Sequence, residues 1–152
     1  PDPTTLNDPS NNLRFEVHTY FDHDNSGTYR KTYAEELARR DGPETRVGPA
    51  TGLDRLRPFA EWLKKHNVKG FVGEYSVPAN PENDPRWLET LDNAVAFMKD
   101  NNLPNTYWAG GQRWSRGYGS VIERNGWSKS LSDEERRKDR PQLAILRKYM
   151  DC

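Results

Sequence analysis

A short buried strand is predicted at Lys69-Gly70-Phe71-Val72-Gly73-Glu74-Tyr75. The segment is mostly apolar after Lys69, and it ends in a carboxylate at Glu74. Packing alone does not require an acid where such a strand ends. In α/β folds, ligands bind at the carboxyl ends of parallel strands. Glu74 is therefore the first candidate for a functional side chain.

Two further strands are predicted, at Arg14-Phe15-Glu16-Val17-His18-Thr19-Tyr20 and at Asn105-Thr106-Tyr107-Trp108-Ala109-Gly110. In the strand at residues 14–20, Glu16, His18 and Tyr20 share one face because strand side chains alternate. The strand at residues 105–110 carries Trp108. Three strand ends that bear a carboxylate, a His/Tyr pair and a tryptophan predict a single pocket.

Helical spacing of apolar residues indicates three helices between and after these strands. Their apolar faces run over Leu53–Leu63, Trp87–Met98 and Leu143–Tyr149, and a short helix is predicted around Ala34–Arg40. The order is therefore strand, long loop, helix, strand, helix, strand, long loop, helix. That alternation predicts an α/β fold with parallel strands and crossover helices.

Several helix boundaries are marked by residues that favour helix ends. Asp84 is predicted to cap the second long helix, with Pro85 at its first position. Asn67 is predicted to end the first long helix. Pro58 has no N–H to donate, so it is expected near the start of that helix or at a kink. Residues Ser132–Arg140 are a charged run of mixed sign, for which a solvated loop is expected.

The composition argues against several classes of function. The 152 residues are enough for one domain, with 33% hydrophobic and 30% charged residues. Lys plus Arg and Asp plus Glu both number 23, so no field favours nucleic acid or an anionic membrane as a partner. No apolar run approaches the roughly 20 residues that cross a bilayer. Cys152 is the only cysteine, so an internal disulfide is impossible.

The segment Asp22-x-Asp24-x-Ser26-Gly27 has some features of a calcium loop. An EF-hand loop requires a Glu at position 12, where this chain has Tyr33. The segment is therefore interpreted as a polar loop. His23 and His66 have no partners at metal-ligand spacing. Neither a metal site nor a cofactor is predicted.

Four motifs follow one another along the chain: EVHTYFD at 16–22, GFVGEYSVPAN at 70–80, TYWAGGQRW at 106–114 and DRPQLAILRKYM at 139–150. Together they resemble cellulase-like members of glycoside hydrolase family 5, and the resemblance covers nearly the whole chain. It implies a TIM (β/α)8 barrel in which the three predicted strands are the sixth, seventh and eighth. Residues 1–152 would then form the C-terminal part of a family 5 catalytic domain, a partial barrel of about three βα units.

The resemblance also implies roles for individual residues. Glu74 matches the catalytic nucleophile, with His18 and Tyr20 as the His-x-Tyr pair beside it. Trp108 matches a tryptophan that forms a sugar platform, while Trp114 is either a second platform or a loop-packing residue. Retaining glycosidases need two carboxylates about 5 Å apart, one to attack and one to transfer a proton. The structural alternatives are a surface Glu74 that caps its loop and a His18 and Tyr20 that fill the barrel interior.

One part of the family pattern is missing. The family's acid/base is a Glu in an Asn-Glu-Pro motif, whereas Asn80-Pro81-Glu82 has a different order and follows the Glu74 strand. A barrel of this kind has roughly 250 residues. The chain is therefore expected to be a half-barrel that is inactive alone. Glu16, deeper on the face of His18, is expected to be a buried residue paired with an Arg or Lys outside the chain.

The resemblance implies retaining hydrolysis of β-1,4-glucosidic bonds in cellulose-like polysaccharide by a secreted enzyme. Its partners would be a β-glucan chain and the missing N-terminal half of the barrel. Two alternatives stay open. One is a non-catalytic glycan-binding fragment, and the other is the same chemistry on another β-glycan, such as mannan or xyloglucan.

Overall fold

The computed structural model describes residue 2 and residues 5–39, 46–78, 84–111, 113–114, 118–122 and 132–150. Glu82 and Cys152, which the sequence analysis singled out, lie outside these residues. In chain order, the helices and strands are β1 (Arg14–His18), α1 (Tyr33–Ala38), α2 (Thr51–His66), β2 (Lys69–Glu74), α3 (Arg86–Asp100), α4 (Asp133–Arg137) and α5 (Pro141–Tyr149).

Strands β1 and β2 form a parallel two-stranded sheet, and the chain between them contains the long helix α2. The pairing runs from Arg14 opposite Lys69 to Val17 opposite Val72. Parallel neighbours need a crossover connection, which α2 supplies. The prediction of an α/β fold with parallel strands is therefore confirmed.

Residues 105–110, predicted as a third strand, do not form a regular strand. Within the described residues they make one isolated bridge, to Val72. The segment still follows β2, because Thr106 N–H donates to Val72 O (3.0 Å) and Trp108 N–H donates to Tyr75 O (2.9 Å). Between these two bonds the segment advances by two residues while the β2 chain advances by three. The ladder loses its register there, so the strand predicted at residues 105–110 is not formed as a regular strand.

Strand β2 carries one extra residue at Gly73. Val17 is opposite Val72, but the next residue of β1, His18, is opposite Glu74. A bulge of this kind redirects the side chain that follows it. Strict alternation would place Glu74 on the same face as Val72, which is fully buried. The bulge instead places Glu74 on the face of His18.

Helices α2, α3 and α5 cover one face of the sheet, and α3 packs against both of the others. On the opposite face, Arg14, Glu16 and His18 of β1 are exposed. The polar face of the sheet is thus open along β1, while the apolar face is covered. The core under the helices includes the buried residues Leu56, Ala60, Leu63, Val72, Tyr75, Trp87, Leu91, Ala94, Val95 and Met98.

The predicted helix ends are largely confirmed. Helix α2 ends at Asn67, whose left-handed conformation (φ 50°) is one that asparagine tolerates well. Helix α3 begins at Arg86, with Pro85 rather than Asp84 at the cap position. The Asp84 carboxylate still accepts a hydrogen bond from Arg86 N–H (3.2 Å). Asp84 therefore caps the first turn from one residue further out.

Two further expectations can be compared with the structure. Pro58 lies inside α2, which begins at Thr51, so it is not near the helix start, and the alternative of a kink stays a prediction. The run Ser132–Arg140 is not a loop throughout, because Asp133–Arg137 form the short helix α4. Acidic residues open α4 and a basic residue closes it, an order that the helix dipole favours. This order of charges thus supports a short helix here.

Helix α5 is tied to α3 through Asp92. Tyr149 Oη donates to Asp92 Oδ1 (2.7 Å), and Lys148 Nζ donates to Asp92 Oδ2 (2.8 Å). Leu146 packs at the edge of the core as predicted, while Ile145 is the buried apolar residue of α5. Among the described helices none combines the length and apolarity needed to span a bilayer.

We expect Trp87→Ala to lower the free energy of unfolding by about 3–5 kcal/mol, because the change leaves a large cavity in the core. Trp87 is 3% exposed, and its ring meets the edges of Tyr29 (5.1 Å) and Tyr33 (4.7 Å). Leu37→Ala on α1 is the control, since Leu37 is 39% exposed. Urea unfolding measures both variants, and an equal loss in both would contradict this account of the core.

Candidate active site

The candidate site lies where β1 and β2 end. His18 is the last residue of β1, and Glu74 is the last residue of β2. Beyond the ladder, Thr19 N–H donates to Glu74 O (2.9 Å), so the two chains stay side by side after both strands end. This bond keeps the residues after β1 close to the Glu74 side chain.

The Glu74 carboxylate is held by two side chains from the β1 side. Tyr20 Oη donates a hydrogen bond to Glu74 Oε2, and His18 Nδ1 lies 3.4 Å from the same oxygen. The Glu74 side chain is 22% exposed. The structure thus brings together three residues that the sequence analysis singled out, and they meet through one carboxylate oxygen.

Contacts with its own loop and with α2 fix the position of Tyr20. Its backbone N–H donates to Asn25 Oδ1 (2.7 Å), and its carbonyl accepts a hydrogen bond from Arg55 Nη1. Its ring lies against Gly27, where an added Cβ would be 2.6 Å from the ring. Burial, reinforced by the hydrogen bond to Glu74, raises the pKa of Tyr20 above its usual value of 10.0. The phenol therefore stays protonated and acts as a donor at neutral pH.

Asp22 organises the loop that supports Tyr20. Its buried carboxylate accepts hydrogen bonds from Gly27 N–H (3.0 Å), Thr28 N–H (3.0 Å), Tyr29 N–H (3.2 Å) and the Ser26 hydroxyl (3.0 Å). These donors come from the loop itself, so the carboxylate serves as the loop's internal acceptor. Among the described residues, no cluster of three or more His, Cys, Asp or Glu side chains is suited to a metal.

His18 has a second carboxylate partner. Its Nε2 lies 2.8 Å from Glu16 Oε1, on the opposite side of the ring from Glu74. The Glu16 side chain is 48% exposed in this chain, and its burial against an Arg or Lys outside the chain stays a prediction. The described contacts thus link one further carboxylate to Glu74, and they do so through the His18 ring.

An aromatic cluster of Trp108, Trp114 and Tyr118 forms a second part of the site. Trp114 stacks on Tyr118 (4.5 Å between ring centroids, 27° between ring planes) and meets Trp108 edge to face (4.9 Å, 70°). The indole N–H of Trp108 donates to Tyr118 Oη (2.6 Å). Trp114 therefore packs within the loop, which favours the loop-packing alternative at least in part.

Tyr118 is a residue that the sequence analysis missed. It is one of seven tyrosines and stands in a loop without a period or motif around it. Its segment is anchored beside Trp108, because Ala109 N–H donates to Ser120 O (3.2 Å) and Ile122 N–H donates to Ala109 O (3.0 Å). Tyr118 also contributes to the raised pKa of Tyr20, after burial and the contact with Glu74. It thus links the aromatic cluster to the carboxylate site.

Glu82 and Asp84 are acids that follow the Glu74 strand in sequence, and Glu82 lies outside the described residues. Asp84 is engaged by Arg86, whose Nε and Nη2 lie 2.8 and 2.6 Å from its two oxygens. These hydrogen bonds lower the pKa of the Asp84 carboxyl below its usual value. An acid that is ionised at neutral pH is poorly suited to donate a proton.

The family assignment comes from comparison with known proteins. The profile of cellulase (glycosyl hydrolase family 5) matches residues 1–113. The chain belongs to glycoside hydrolase family 5. Its polar strand ends therefore lie in a family whose retaining members use two carboxylates.

Relatives of this family 5 chain are endoglucanases. Endo-beta-1,4-glucanase B of Aspergillus niger is 30% identical over 113 residues, which cover 74% of this chain and 28% of that protein. The crystal structure of an endoglucanase from Pseudomonas stutzeri is 38% identical, with a TM-score of 0.71 over 97% of this chain and 38% of that one. An endo-beta-1,4-glucanase of Xanthomonas axonopodis is 26% identical, with a TM-score of 0.69 over 97% of this chain and 40% of that one. The family 5 chain thus spans well under half the length of these relatives.

Gly27→Ala should release the Tyr20 ring, because Gly27 has a positive φ (72°) and its new Cβ would collide with that ring. We expect the Tyr20 pKa to fall towards 10.0, its usual value. A folded-state pKa raised above the unfolded value stabilises the protein below about pH 10 and stops doing so as the pH rises through the folded value. The loss of stability at alkaline pH that comes from ionisation of Tyr20 should therefore be smaller in Gly27→Ala than in the wild type.

The measurement is a pH titration of tyrosine side-chain carbons by NMR, with Tyr20 assigned from Tyr20→Phe. Gly48→Ala is the matched control, since an added Cβ at Gly48 meets nothing within 4 Å. An unchanged Tyr20 titration in Gly27→Ala would mean that Gly27 does not position the ring.

Proposed function

We propose that residues 1–152 are the C-terminal part of a retaining β-1,4-glucanase, with Glu74 as its nucleophile. The observation that carries the proposal is the Glu74 carboxylate at the end of β2, bonded by Tyr20 and faced by His18, in a family 5 chain. Named relatives are endo-beta-1,4-glucanases, and the Pseudomonas stutzeri enzyme has been crystallised with cellobiose. Cellulose-like β-1,4-glucan is therefore the proposed substrate.

In the proposed reaction, a Glu74 oxygen attacks the anomeric carbon and the glycosidic C–O bond breaks. The leaving oxygen takes a proton from a carboxylic acid on a segment outside this chain. The same acid, now a base, then removes a proton from water, which attacks the anomeric carbon and frees Glu74. The proton returns to the acid, so both carboxylates regain their starting state.

Tyr20 and His18 are proposed to prepare Glu74 for this attack. The nucleophile must be ionised, and donors that bond the charged form favour that form. Tyr20 supplies such a hydrogen bond to Oε2, and His18 packs against the same oxygen through Nδ1 and positions it. Oε1 is then the oxygen proposed to attack. Oε2 is then the anchored oxygen of the carboxylate, and Oε1 is the reactive one.

Trp108 is proposed to form a sugar platform. Glycan rings present C–H faces that pack on aromatic faces, and a platform works when its ring is held in one orientation. The hydrogen bond from Trp108 Nε1 to Tyr118 Oη and the edge contact with Trp114 supply that restraint. Trp114 is proposed to support Trp108 and to offer its remaining surface as a second contact.

The rest of the barrel is proposed to come from an N-terminal half that precedes these residues. The exposed face of β1 would then point into the barrel, and the free edge beside residues 105–108 would receive a further strand. A cleft of about 790 Å3 between α3, α5 and this edge is lined by Met98, Leu103 and Leu146, among others. Apolar residues of the missing half are proposed to fill it. A polymer such as cellulose does not enter cells, so we also propose a secreted enzyme.

The decisive experiment traps the nucleophile. In the complete enzyme, an activated 2-deoxy-2-fluoro glucoside should form a stable ester with Glu74, because the retaining mechanism passes through a glycosyl-enzyme. Peptide mass mapping locates the label. Glu74→Gln should take no label and lose turnover while still binding oligosaccharide, and residues 1–152 alone should stay unlabelled because the incomplete cleft does not hold the glucoside against Glu74. A label on another residue, or full activity in Glu74→Gln, would refute the assignment.

Trp108→Ala should weaken oligosaccharide binding with little change in melting temperature. Trp62→Ala is the matched control, because Trp62 packs against Phe15 (4.9 Å) on the helical side of β1. That variant should melt earlier and bind normally. Calorimetric titration and thermal melting of the complete enzyme measure both effects. Early melting with normal binding in Trp108→Ala would make Trp108 a packing residue.

A further inference from the structure

Glu16 and Glu74 lie on opposite sides of the same imidazole ring. Glu16 Oε1 is 2.8 Å from His18 Nε2, and Glu74 Oε2 is 3.4 Å from His18 Nδ1. A carboxylate only accepts hydrogen bonds, so the short contact with Glu16 places a proton on Nε2. The ring then reaches Glu74 through Nδ1 alone. The contact with Glu16 therefore holds the ring in the orientation that turns Nδ1 towards Glu74.

The neighbouring strand leaves space for this contact. An added Cβ at Gly73 would lie 1.8 Å from Glu16 Oε1 and 2.7 Å from its carboxyl carbon. Both distances are shorter than any van der Waals contact, so a side chain at this position would displace the Glu16 carboxylate. Gly73 is also the extra residue of the β2 bulge. The same glycine thus turns Glu74 towards His18 and leaves room for the carboxylate on the far side of the ring.

We propose that Glu16 is a positioning residue that acts on Glu74 through His18, and that Gly73 is required for its placement. The proposal rests on the proposed function only for its effect on turnover, since the ring orientation is a property of the fold. Second carboxylates that fix the tautomer and orientation of a functional imidazole are a recurring arrangement in active sites. Here the imidazole is fixed against the carboxylate proposed to attack the sugar.

The test separates the accepted hydrogen bond from the charge of Glu16. Glu16→Gln keeps an oxygen that accepts from Nε2–H, whereas Glu16→Ala removes it. Gly73→Ala keeps Glu16 but takes its space. Two matched controls lie outside the site: Glu61→Gln on α2, where Glu61 is exposed, and Gly48→Ala, where a Cβ meets nothing within 4 Å.

The first readout is NMR of the full-length protein labelled with 15N-histidine, with the His18 signals assigned from their loss in His18→Asn. We expect wild-type, Glu16→Gln and both controls to show Nε2 protonated and its proton protected from exchange. Glu16→Ala and Gly73→Ala should both lose that protection. Unchanged His18 protonation and exchange protection in Glu16→Ala would overturn the proposal. This measurement does not depend on enzyme activity.

The second readout is turnover of a soluble β-1,4-glucan. Loss of one hydrogen bond to a charged partner should lower kcat about tenfold in Glu16→Ala and Gly73→Ala, with KM within about twofold. Glu16→Gln should restore most of the kcat. A Glu16→Gln enzyme as slow as Glu16→Ala would overturn the positioning role. A wild-type enzyme without glucanase activity would refute the proposed function instead, and the histidine spectra would still decide the role of Glu16.

Discussion

The orientation of Glu74 depends on one extra residue in β2. The bulge at Gly73 is visible from both neighbours, because β1 and residues 105–108 each lose register with β2 at this point. Before the bulge, the pairing aligns Val72 with Val17 under the helices. After it, Glu74 faces His18 and Tyr20, while Tyr75 enters the core. One backbone irregularity thus gives the strand an apolar side for stability and a polar end for chemistry.

The loop that supports Tyr20 is held by several hydrogen bonds. Asp22 gathers the loop donors, Asn25 and Arg55 bind the backbone of Tyr20, and Gly27 provides a flat surface for its ring. Asp22 is the buried charged group of this loop, and its hydrogen bonds offset the cost of burying a carboxylate. A phenol held in this way can present one hydrogen bond at a defined angle.

Much of this arrangement was predictable from sequence, and the remainder has physical reasons for being hidden. The apolar run at 69–75 and the helical spacing before it located β2 and α2, and Asn67 marked the end of α2 correctly. The prediction that Glu74, His18 and Tyr20 share a pocket used strand ends, but a period of two would have placed Glu74 on the wrong face. A bulge does not produce a periodic sequence pattern, and a single glycine such as Gly73 does not predict one. The position of Tyr118 beside Trp108 depends on tertiary contacts that no local pattern encodes.

The side chains that contact the Glu74 carboxylate, Tyr20 and His18, and the residues that support them, from Glu16 to Arg55, belong to a single β-α-β unit. The contact between Tyr20 and Glu74 closes a separation of 54 residues. The entropic cost of closing a loop grows only slowly with its length. Once α2 has folded back and β2 has paired with β1, the parts of this constellation meet without any further long-range search. The connectivity thus places the side chains that contact the Glu74 carboxylate within one β-α-β unit, whereas Trp108 follows the next helix, α3.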